Sequence, residues 1–543
     1  MARVDDRPNI LLILTDEQRL STMSCYGPTP CLTPNLDRLA TESVVFERAY
    51  TSCPVCTPAR GTIMTGLYPH NHGMTTNAGN VGCAVPEIPD SPILLSRTLE
   101  RAGYRLGYTG KWHLGTNPEE RKVAHFDTYA ARRGAGAKEN PYRLPDEYRF
   151  RHTLPKDVGF AGQNFAGHGG GGFKYPEYHQ YLADHGWRHE VAHTGARGPQ
   201  RTGILKGPRE STVPHFLTSH TIELLDRFSG RGNRAPANAA ARETARQPFF
   251  IWHNFWGPHA PYYVTEEYLD QYQNVEIPEW PNYRWPAGTT AGPHQMMIRP
   301  VAKEMAWADW EEYIRYYYAF VSMIDAEIGR LINALQERGL LENTVVIFAA
   351  DHGEALGSHG GMYNKGQSHF EEIQRIPMLI RLPETAGSAG TGAKGTAGHA
   401  KVNKLVGLCD LYPTICDLAG AEYESERGDG DSLLPLLAAD SAPAPGAPVP
   451  WRGSIGIEYH GVGNSLQTMR TIVKGRIKYG FSYGTSEELY DLEADPYETN
   501  NLVGNTAWRE TKREMREELV NWMRATNDAG LIGFYTDYVG LVE

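Results

Sequence analysis

Four short apolar runs punctuate the chain, each closed by polar or glycine-rich sequence: NILLILT at 9–15, YRLGYTG at 104–110, FFIWHNF at 249–255 and TVVIFAA at 344–350. Runs of this length, rich in β-branched and aromatic side chains, predict strands. Between the last two, Val321, Ile324, Ile328, Leu331 and Leu335 recur at helical spacing, and Gly339 supplies a stop signal. Strands alternating with helices predict an α/β fold with a large, mostly parallel sheet sandwiched by helices. Near the end, GRIKYGFSYGTSEELYDL predicts short antiparallel strands and AWRETKREMREELVNWMRAT a closing helix. The expected division is therefore a large unit over 1–440 and a smaller C-terminal α+β unit over 441–543.

Three stretches lack apolar periodicity and read as loops: 229–247, 386–400 and 440–450. Residues 115–228, rich in glycine, histidine and aromatics, give no assignment, and the chain carries no internal repeat. A length of 543 residues suits one large domain and one smaller one. Hydrophobic residues at 41% and charged residues at 22% are ordinary for a globular chain, and no stretch approaches the roughly 18 apolar residues of a membrane span.

The net charge of −11 argues against general nucleic-acid binding, so an anionic small substrate would need a local basic pocket. The opening residues MARVDDRPNILLILTDEQR pass from a charged lead straight into a strand, without the apolar region and cleavage site of a secretory signal. Seven cysteines, few and odd in number, suit reduced thiols. Both features predict a cytoplasmic protein.

In sheets of this class ligands gather beyond the carboxyl ends of the strands. Polar residues stand there after each run: Asp16 and Glu17, Lys111 and His113, His259, and Asp351 with His352. Asp16 and Asp351 could meet as oxygen ligands for a divalent cation, although a single Asp at a strand end is more often a cap or turn residue. Lys111 and His113, two apart, would face one side of an extended segment, with Trp112 packing oppositely.

The stretch SCPVCTPARGTIMTG at 52–66 carries the most specific pattern. Pro58 suits the first position of a helix that Gly66 would end, which places Cys56 at the helix N-terminus. Free N–H groups there favour a bound anion and lower a thiol's pKa. Cys53 and Cys56 also fit a C-x-x-C redox pair, and a lone cysteine is commonly a small buried hydrophobe.

CTPAR at 56–60 matches C-x-P-x-R, and GTIMTG continues the longer pattern. With ILTDEQR, TPNLDRLA, GLYPHNHG, GYTGKWHLG, WGPHAPY, FAADHGEALGSHG, KGQSHFEEIQRIPMLIRLP and LYDLEADPYETNNL in the same order, the chain resembles the formylglycine-dependent sulfatases of the alkaline phosphatase superfamily over nearly its whole length. The branch it resembles holds arylsulfatases and phosphonate monoester hydrolases. The resemblance implies an alkaline-phosphatase-like fold and hydrolysis of sulfate esters, aryl sulfates first.

It further implies that Cys56 is oxidised after translation to formylglycine by a formylglycine-generating enzyme that reads Pro58 and Arg60. A sulfated gem-diol can expel sulfate by C–O cleavage when its second hydroxyl loses a proton, whereas a thiol or serine adduct has no second hydroxyl. By the same resemblance Arg60 holds the cofactor hydroxyl and the metal-site carboxylates, and Lys111 holds a sulfate oxygen. His113 takes the proton of the covalent hemiacetal, while His259 and Lys365 contact the ester and assist the leaving group.

The implied metal ligands are Asp16, Glu17, Cys56, Asp351 and His352. Glu17 stands where many relatives carry a second Asp, and His352 where many carry Asn. An all-oxygen site suits Ca2+, which comes first, and the ring nitrogen of His352 brings in Mn2+ as the alternative.

A second reading within the superfamily is a phosphonate monoester or phosphodiester hydrolase using the same cofactor, or an enzyme promiscuous between the two reactions. The DHG string leans that way and KWHLG leans towards the sulfatases. A third, of another class, is a binding or redox protein using Cys53 and Cys56 as thiols. His369 reads equally as substrate contact or packing residue, His70 and His72 read as structural, and Tyr142, Tyr178 and Trp187 as packing residues with an aryl site as the alternative. The expected partners are a small anionic ester and a second copy of the chain in a dimer or tetramer. The tail GLIGFYTDYV would dock on that copy or fold back on its own subunit.

Overall fold

The first apolar run becomes strand β1, Asn9–Asp16, with all eight residues buried, in a computed structural model of the chain. The structure describes residues 7–80, 82–116, 152–167, 170–193, 196–230, 247–284, 300–365, 367–383, 400–437, 449–462, 465–484 and 486–540. Strands β2 (Val44–Tyr50), β3 (Arg105–Gly110) and β4 (Ala161–Gly162) follow, then a small three-stranded sheet of β5 (Glu190–Ala192), β6 (Thr202–Lys206) and β8 (Tyr262–Val264). Strands β7 (Phe249–Pro258), β9 (Thr344–Ala350), β10 (Arg375–Ile376), β11 (Met378–Arg381) and β12 (Ala400–Gly407) complete a nine-stranded main sheet. Its order is β10-β2-β11-β9-β1-β7-β3-β4, with β12 also paired to β2.

The sheet is mixed and mostly parallel. β1 runs parallel to β7 and β9, and β3 to β7, whereas β11 runs antiparallel between β9 and β2. Ile10 sits opposite Phe250 and Val345, so the three central strands end together at one edge.

Both faces are covered, and the side-chain alternation of β1 shows why. Leu11 and Ile13 enter one apolar cluster, while Ile10, Leu12 and Leu14 enter another on the opposite face. The first face packs α1 (Pro34–Thr41) and, further along the chain, Val213–Ser229 and Trp307–Glu337; the second packs α2 (Cys56–Thr65), α3 (Leu95–Arg101) and Leu411–Ala419. The helix over Trp307–Glu337 spans 31 residues and begins well before the aliphatic stripe that marks it in sequence. Trp310, Tyr313 and Tyr317 continue the buried stripe with aromatic side chains.

Strands β13 (Ser454–Val462), β14 (Ser465–Lys474), β15 (Ile477–Ser482) and β16 (Ser486–Asp491) form the antiparallel C-terminal sheet, followed by helices over Arg509–Ala525 and Ala529–Val539. The tail thus forms a helix on its own subunit, with Leu531 and Tyr535 buried against that sheet and its first helix. Glu458 N of β13 donates to Ser52 O at 2.8 Å, which seats the C-terminal sheet behind the segment leading to Cys56.

Two expectations change. Ala400, at the end of the stretch read as a loop, is the first residue of β12, and β4, β5, β6 and helices over Pro176–Asp184 and Val213–Ser229 form where no periodic pattern is legible. Tyr142, the boundary at 440 and most of the three loop stretches lie outside the described residues. Among the described residues no helix is long and apolar enough to cross a membrane.

Candidate active site

Every strand that carries a chemistry-bearing residue delivers it to the shared carboxyl edge. β1 ends in Asp16, β9 leads into Asp351 and His352, and β3 leads into Lys111. His259 follows β7, and its N–H donates to the Asp16 carbonyl at 3.0 Å. Gly110 makes the close packing of β3 on β7 possible: a Cβ there would lie 1.7 Å from Asn254 O, and its φ is +94°.

Cys56 opens α2, with Val55 as N-cap and Gly66 in the left-handed conformation closing the helix. Pro58 is therefore the third helical residue, not the first. Its missing N–H costs nothing there, because the first four amides of a helix have no intrahelical partner. Arg60, one turn after Cys56, lies on the same side of the helix and is fully buried.

The Cys56 sulfur is surrounded by charge. Lys365 Nζ donates to it at 3.0 Å and Lys111 Nζ at 3.4 Å, and the sulfur lies 3.4 Å from His352 Nε2 and 3.6 Å from Asp16 Oδ1. Lys111 Nζ also pairs with Asp16 Oδ2. Arg60 donates from one nitrogen to Lys111 O at 2.9 Å and Asn254 Oδ1 at 2.7 Å, and from the other to Asp351 Oδ2 at 3.1 Å. Burial and the Asp16 carboxylate push the Cys56 thiol up, but Lys111, Lys365 and the His352 hydrogen bond outweigh them and hold it well below the usual thiol range. Asp16 behaves alike: burial opposes ionisation, and Lys111, His259, Lys365 and Arg60 hold the carboxyl well below its ordinary value.

One atom from each of Asp16, Cys56, Asp351 and His352 lies within 4.8 Å of the others, a set that could hold a metal ion. The tautomer of His352 tests the fit. Its Nδ1 lies 3.0 Å from the Gly353 carbonyl, which only accepts, so Nδ1 carries the proton. Burial opposes protonation of His352, but Asp351 and the Cys56 hydrogen bond outweigh it and raise the imidazole above its ordinary value, which favours a proton on Nε2 as well, facing the sulfur at 3.4 Å, Asp351 Oδ1 at 3.6 Å and Asp16 Oδ1 at 3.8 Å. A divalent ion would take the place of that proton, with Nε2, the sulfur and two carboxylate oxygens as donors, and the residues fit such an ion.

Glu17 does not join that set. The backbone turns left-handed at Glu17, φ +66°, and the carboxylate faces His259 Nε2 at 3.3 Å and Lys365 Nζ at 3.8 Å instead. Burial, with Glu354 and Asp16 adding to it against the pull of Lys365, raises the Glu17 carboxyl well above its ordinary value. Burial and the Lys365 cation hold the His259 imidazole down at about 3, so it is neutral at ordinary pH.

His113 departs from the extended reading: its φ is +53°. Its N–H donates to Ala166 O at 2.8 Å and its carbonyl accepts from Thr57 Oγ1 at 2.6 Å, so its backbone is tied to the residue beside Cys56. Trp112 is fully buried in the second core face.

Other candidates fall outside the pocket. Cys53 points into an apolar cluster with Val55, Tyr459 and Met469, and burial raises its thiol pKa well above the ordinary value, so the two cysteines three apart occupy opposite environments. His369 bridges Thr471 Oγ1 at 2.6 Å and Ser482 Oγ at 2.9 Å on the C-terminal sheet, a packing role. His70 pairs with Glu458 Oε1 and His72 contacts Pro58 O at 3.2 Å, both structural. Tyr178 is buried and donates to Ser211 O at 2.6 Å, and Trp187 stacks on His185. Sequence reasoning missed Asn254, although a polar residue inside the apolar run FFIWHNF was the signal for it.

Residues 8–421 match the family described as Sulfatase, and residues 357–525 match N-sulphoglucosamine sulphohydrolase, C-terminal. The chain is 27% identical to the N-acetylglucosamine-6-O-sulfatase of Bacteroides thetaiotaomicron over 96% of its own length and 87% of that protein's. It is also 27% identical to a multifunctional alkaline phosphatase superfamily protein of Trinickia caryophylli, over 98% and 99% of the two lengths. The phosphonate monoester hydrolase of Agrobacterium radiobacter shares the fold with a TM-score of 0.68, at 22% identity and over 96% of each chain.

Proposed function

The chain belongs to the sulfatase family, and from that premise we propose that it hydrolyses a small sulfate ester, an aryl sulfate first, with Cys56 as precursor of the nucleophile. The observation that carries this reading is the convergence of Lys111, Lys365 and a helix N-terminus on Cys56, beside a four-donor group of Asp16, Cys56, Asp351 and His352. Two ammonium groups suit a tetrahedral dianion or monoanion bound at that point.

A formylglycine at position 56 would supply a hydrated aldehyde as nucleophile, and a divalent cation would be held by Asp16, Asp351, His352 and residue 56 and would supply positive charge there. The remaining work belongs to the chain's own side chains. Lys111 and Lys365 donate to the ester's anionic oxygens, which lowers the cost of charge moving onto the leaving group. Burial and Asp16 raise the Asp351 carboxyl above its ordinary value, Arg60 works with His352 against them, and Arg60 also fixes the Lys111 carbonyl, so both hold their places as substrate binds. His259, neutral, and Lys365 stand on the Glu17 side, where an ester oxygen would be met by a donor. His113 takes the proton that releases sulfate. Ca2+ is the first choice of cation, and the ring nitrogen keeps Mn2+ beside it.

The second reading, phosphonate monoester or phosphodiester hydrolysis, is favoured by His352 itself, whose Nε2 takes a place in the donor set. Comparing kcat/KM for matched aryl sulfate, phosphonate monoester and phosphodiester substrates decides between them. Seven free cysteines support a reducing compartment, the cytoplasm. A formylglycine-generating enzyme as maturation partner and a dimer or tetramer of this chain complete the reading, as does the division at residue 440. Cys56→Ala tests its core: sulfate release from an aryl sulfate must vanish, and full turnover by the variant would end this mechanism.

A further inference from the structure

Lys365 reaches Cys56 from a loop with little intrinsic order. Residues 353–364 include Gly353, Gly357, Gly360 and Gly361, and Leu356, His359 and Asn364 adopt positive φ of 45°, 50° and 66°. Such a segment has many conformations to lose, and a lysine on a flexible four-carbon stem aims no better than its backbone root. Something must fix that root.

We propose that Glu354 is a positioning residue for Lys365, its buried carboxylate closing this loop so that the ammonium group meets the reacting position. This deepens the sulfatase reading and rests on it. Glu354 Oε1 accepts from Leu356 N at 3.0 Å and from Asn364 N, tying together two points of the chain eight residues apart. Ala355 N donates to Asn364 O at 3.3 Å beside it, and Asn364 Oδ1 accepts from Lys365 N at 2.7 Å, so the constraint passes directly into the lysine's own peptide. From outside, Arg19 donates to Glu354 O at 3.3 Å, Ala355 O at 2.6 Å and Ser358 Oγ at 3.0 Å, which holds the start of the loop. Glu354 is 2% exposed, so its oxygens face these amides and not water.

A general packing defect and a misplaced lysine have different kinetic signatures. Lys365 is placed at the leaving group, so its loss weakens turnover of esters with basic leaving groups most. The test compares wild type, Glu354→Ala, Glu354→Asp, Glu354→Gln, Lys365→Ala and the Glu354→Ala/Lys365→Ala double variant on nitrophenyl and phenyl sulfate, each normalised to aldehyde content.

Glu354→Ala should lose about 10²-fold in kcat/KM on the poorer leaving group, the scale of an approximately 1 Å misplacement, and clearly less on the better one. Glu354→Asp, which is too short to reach both amides, should show the same preference. Glu354→Gln retains an oxygen at the Oε1 position and should stay within about threefold of wild type, the size of one modest hydrogen-bond change. The double variant should be no worse than Lys365→Ala alone, because residues that act through one contact are not additive.

Additive losses in the double variant, or equal losses on both substrates, overturn the positioning role while leaving the sulfatase reading intact. If Glu354→Ala fails to fold, Glu354→Asp and Glu354→Gln decide by the same two criteria. Absence of sulfate release by aldehyde-bearing wild type overturns the sulfatase reading and the inference with it.

Discussion

Arg60→Ala is the perturbation whose cost can be worked most fully from the structure. The guanidinium is fully buried, lies 3.1 Å from Asp351 Oδ2, and donates to Lys111 O and Asn254 Oδ1 at 2.9 and 2.7 Å. Truncation removes the guanidinium from Asp351 and leaves the buried Asn254 Oδ1 without that donor, while Lys111 O keeps its bond from the Tyr108 hydroxyl at 2.6 Å. Removing one partner of a buried pair costs about 3–5 kcal/mol, and the one orphaned acceptor about 1–3 kcal/mol. These terms overlap in one contact group, so their sum is an upper bound and about 4 kcal/mol is the reasoned value. Expressed in the transition state, that is a loss of roughly 10³-fold in kcat/KM.

Arg60→Lys keeps the charge but cannot reach all three acceptors, and should fall between, with a loss of about 10- to 100-fold. The assay is sulfate release by aldehyde-tagged protein, because Arg60 also belongs to the motif that the modifying enzyme reads. Normalising to tag removes that second effect. Full kcat/KM in aldehyde-bearing Arg60→Ala would refute the claim that this residue organises Asp351 and Lys111.

Two further outcomes are expected. The His70 imidazole is raised to about 9: burial opposes its charge, but the Glu458 hydrogen bond and carboxylate outweigh it. The native state therefore holds the proton more tightly than the unfolded chain. The stabilisation is complete below about pH 6.5 and fades as pH rises through 9; at most about 3 kcal/mol is involved, counting the pair once. Thermal melting against pH should show this fall, and His70→Gln should flatten it; an unchanged slope would contradict the pairing. Prolonged chelation should abolish ester hydrolysis and a single divalent ion should restore it, with Ca2+ first and Mn2+ second; turnover by metal-free protein would rule out the four-donor site as functional.

Much of this architecture is legible because its signals are local. β1, β3, β7 and β9 announce themselves as apolar runs with both faces buried, and their polar followers Asp16, Lys111, His259 and Asp351 stand where strand ends must place them. What escapes depends on partners far away in sequence. The antiparallel insertion of β11 between β2 and β9 is invisible in its own four residues. The long helix over Trp307–Glu337 hides its first half behind tyrosines that count as neither polar nor aliphatic. The direction of the Glu17 carboxylate is set by a left-handed backbone and by His259 and Lys365, which no spacing rule reports. Asn254 and Glu354 matter only through what they hold, Arg60 and the root of Lys365, so their chemistry becomes visible when the chain is folded.

The central claim concerns one atom of Cys56, and mass spectrometry of one peptide reads it. Cleavage after Arg48 and Arg60 releases residues 49–60, which contain both Cys53 and Cys56. After thiol alkylation of protein that hydrolyses sulfate esters, the account predicts one alkyl group, on Cys53, and an aldehyde-reactive residue at position 56. Two alkyl groups on that peptide in a fully active sample would contradict it.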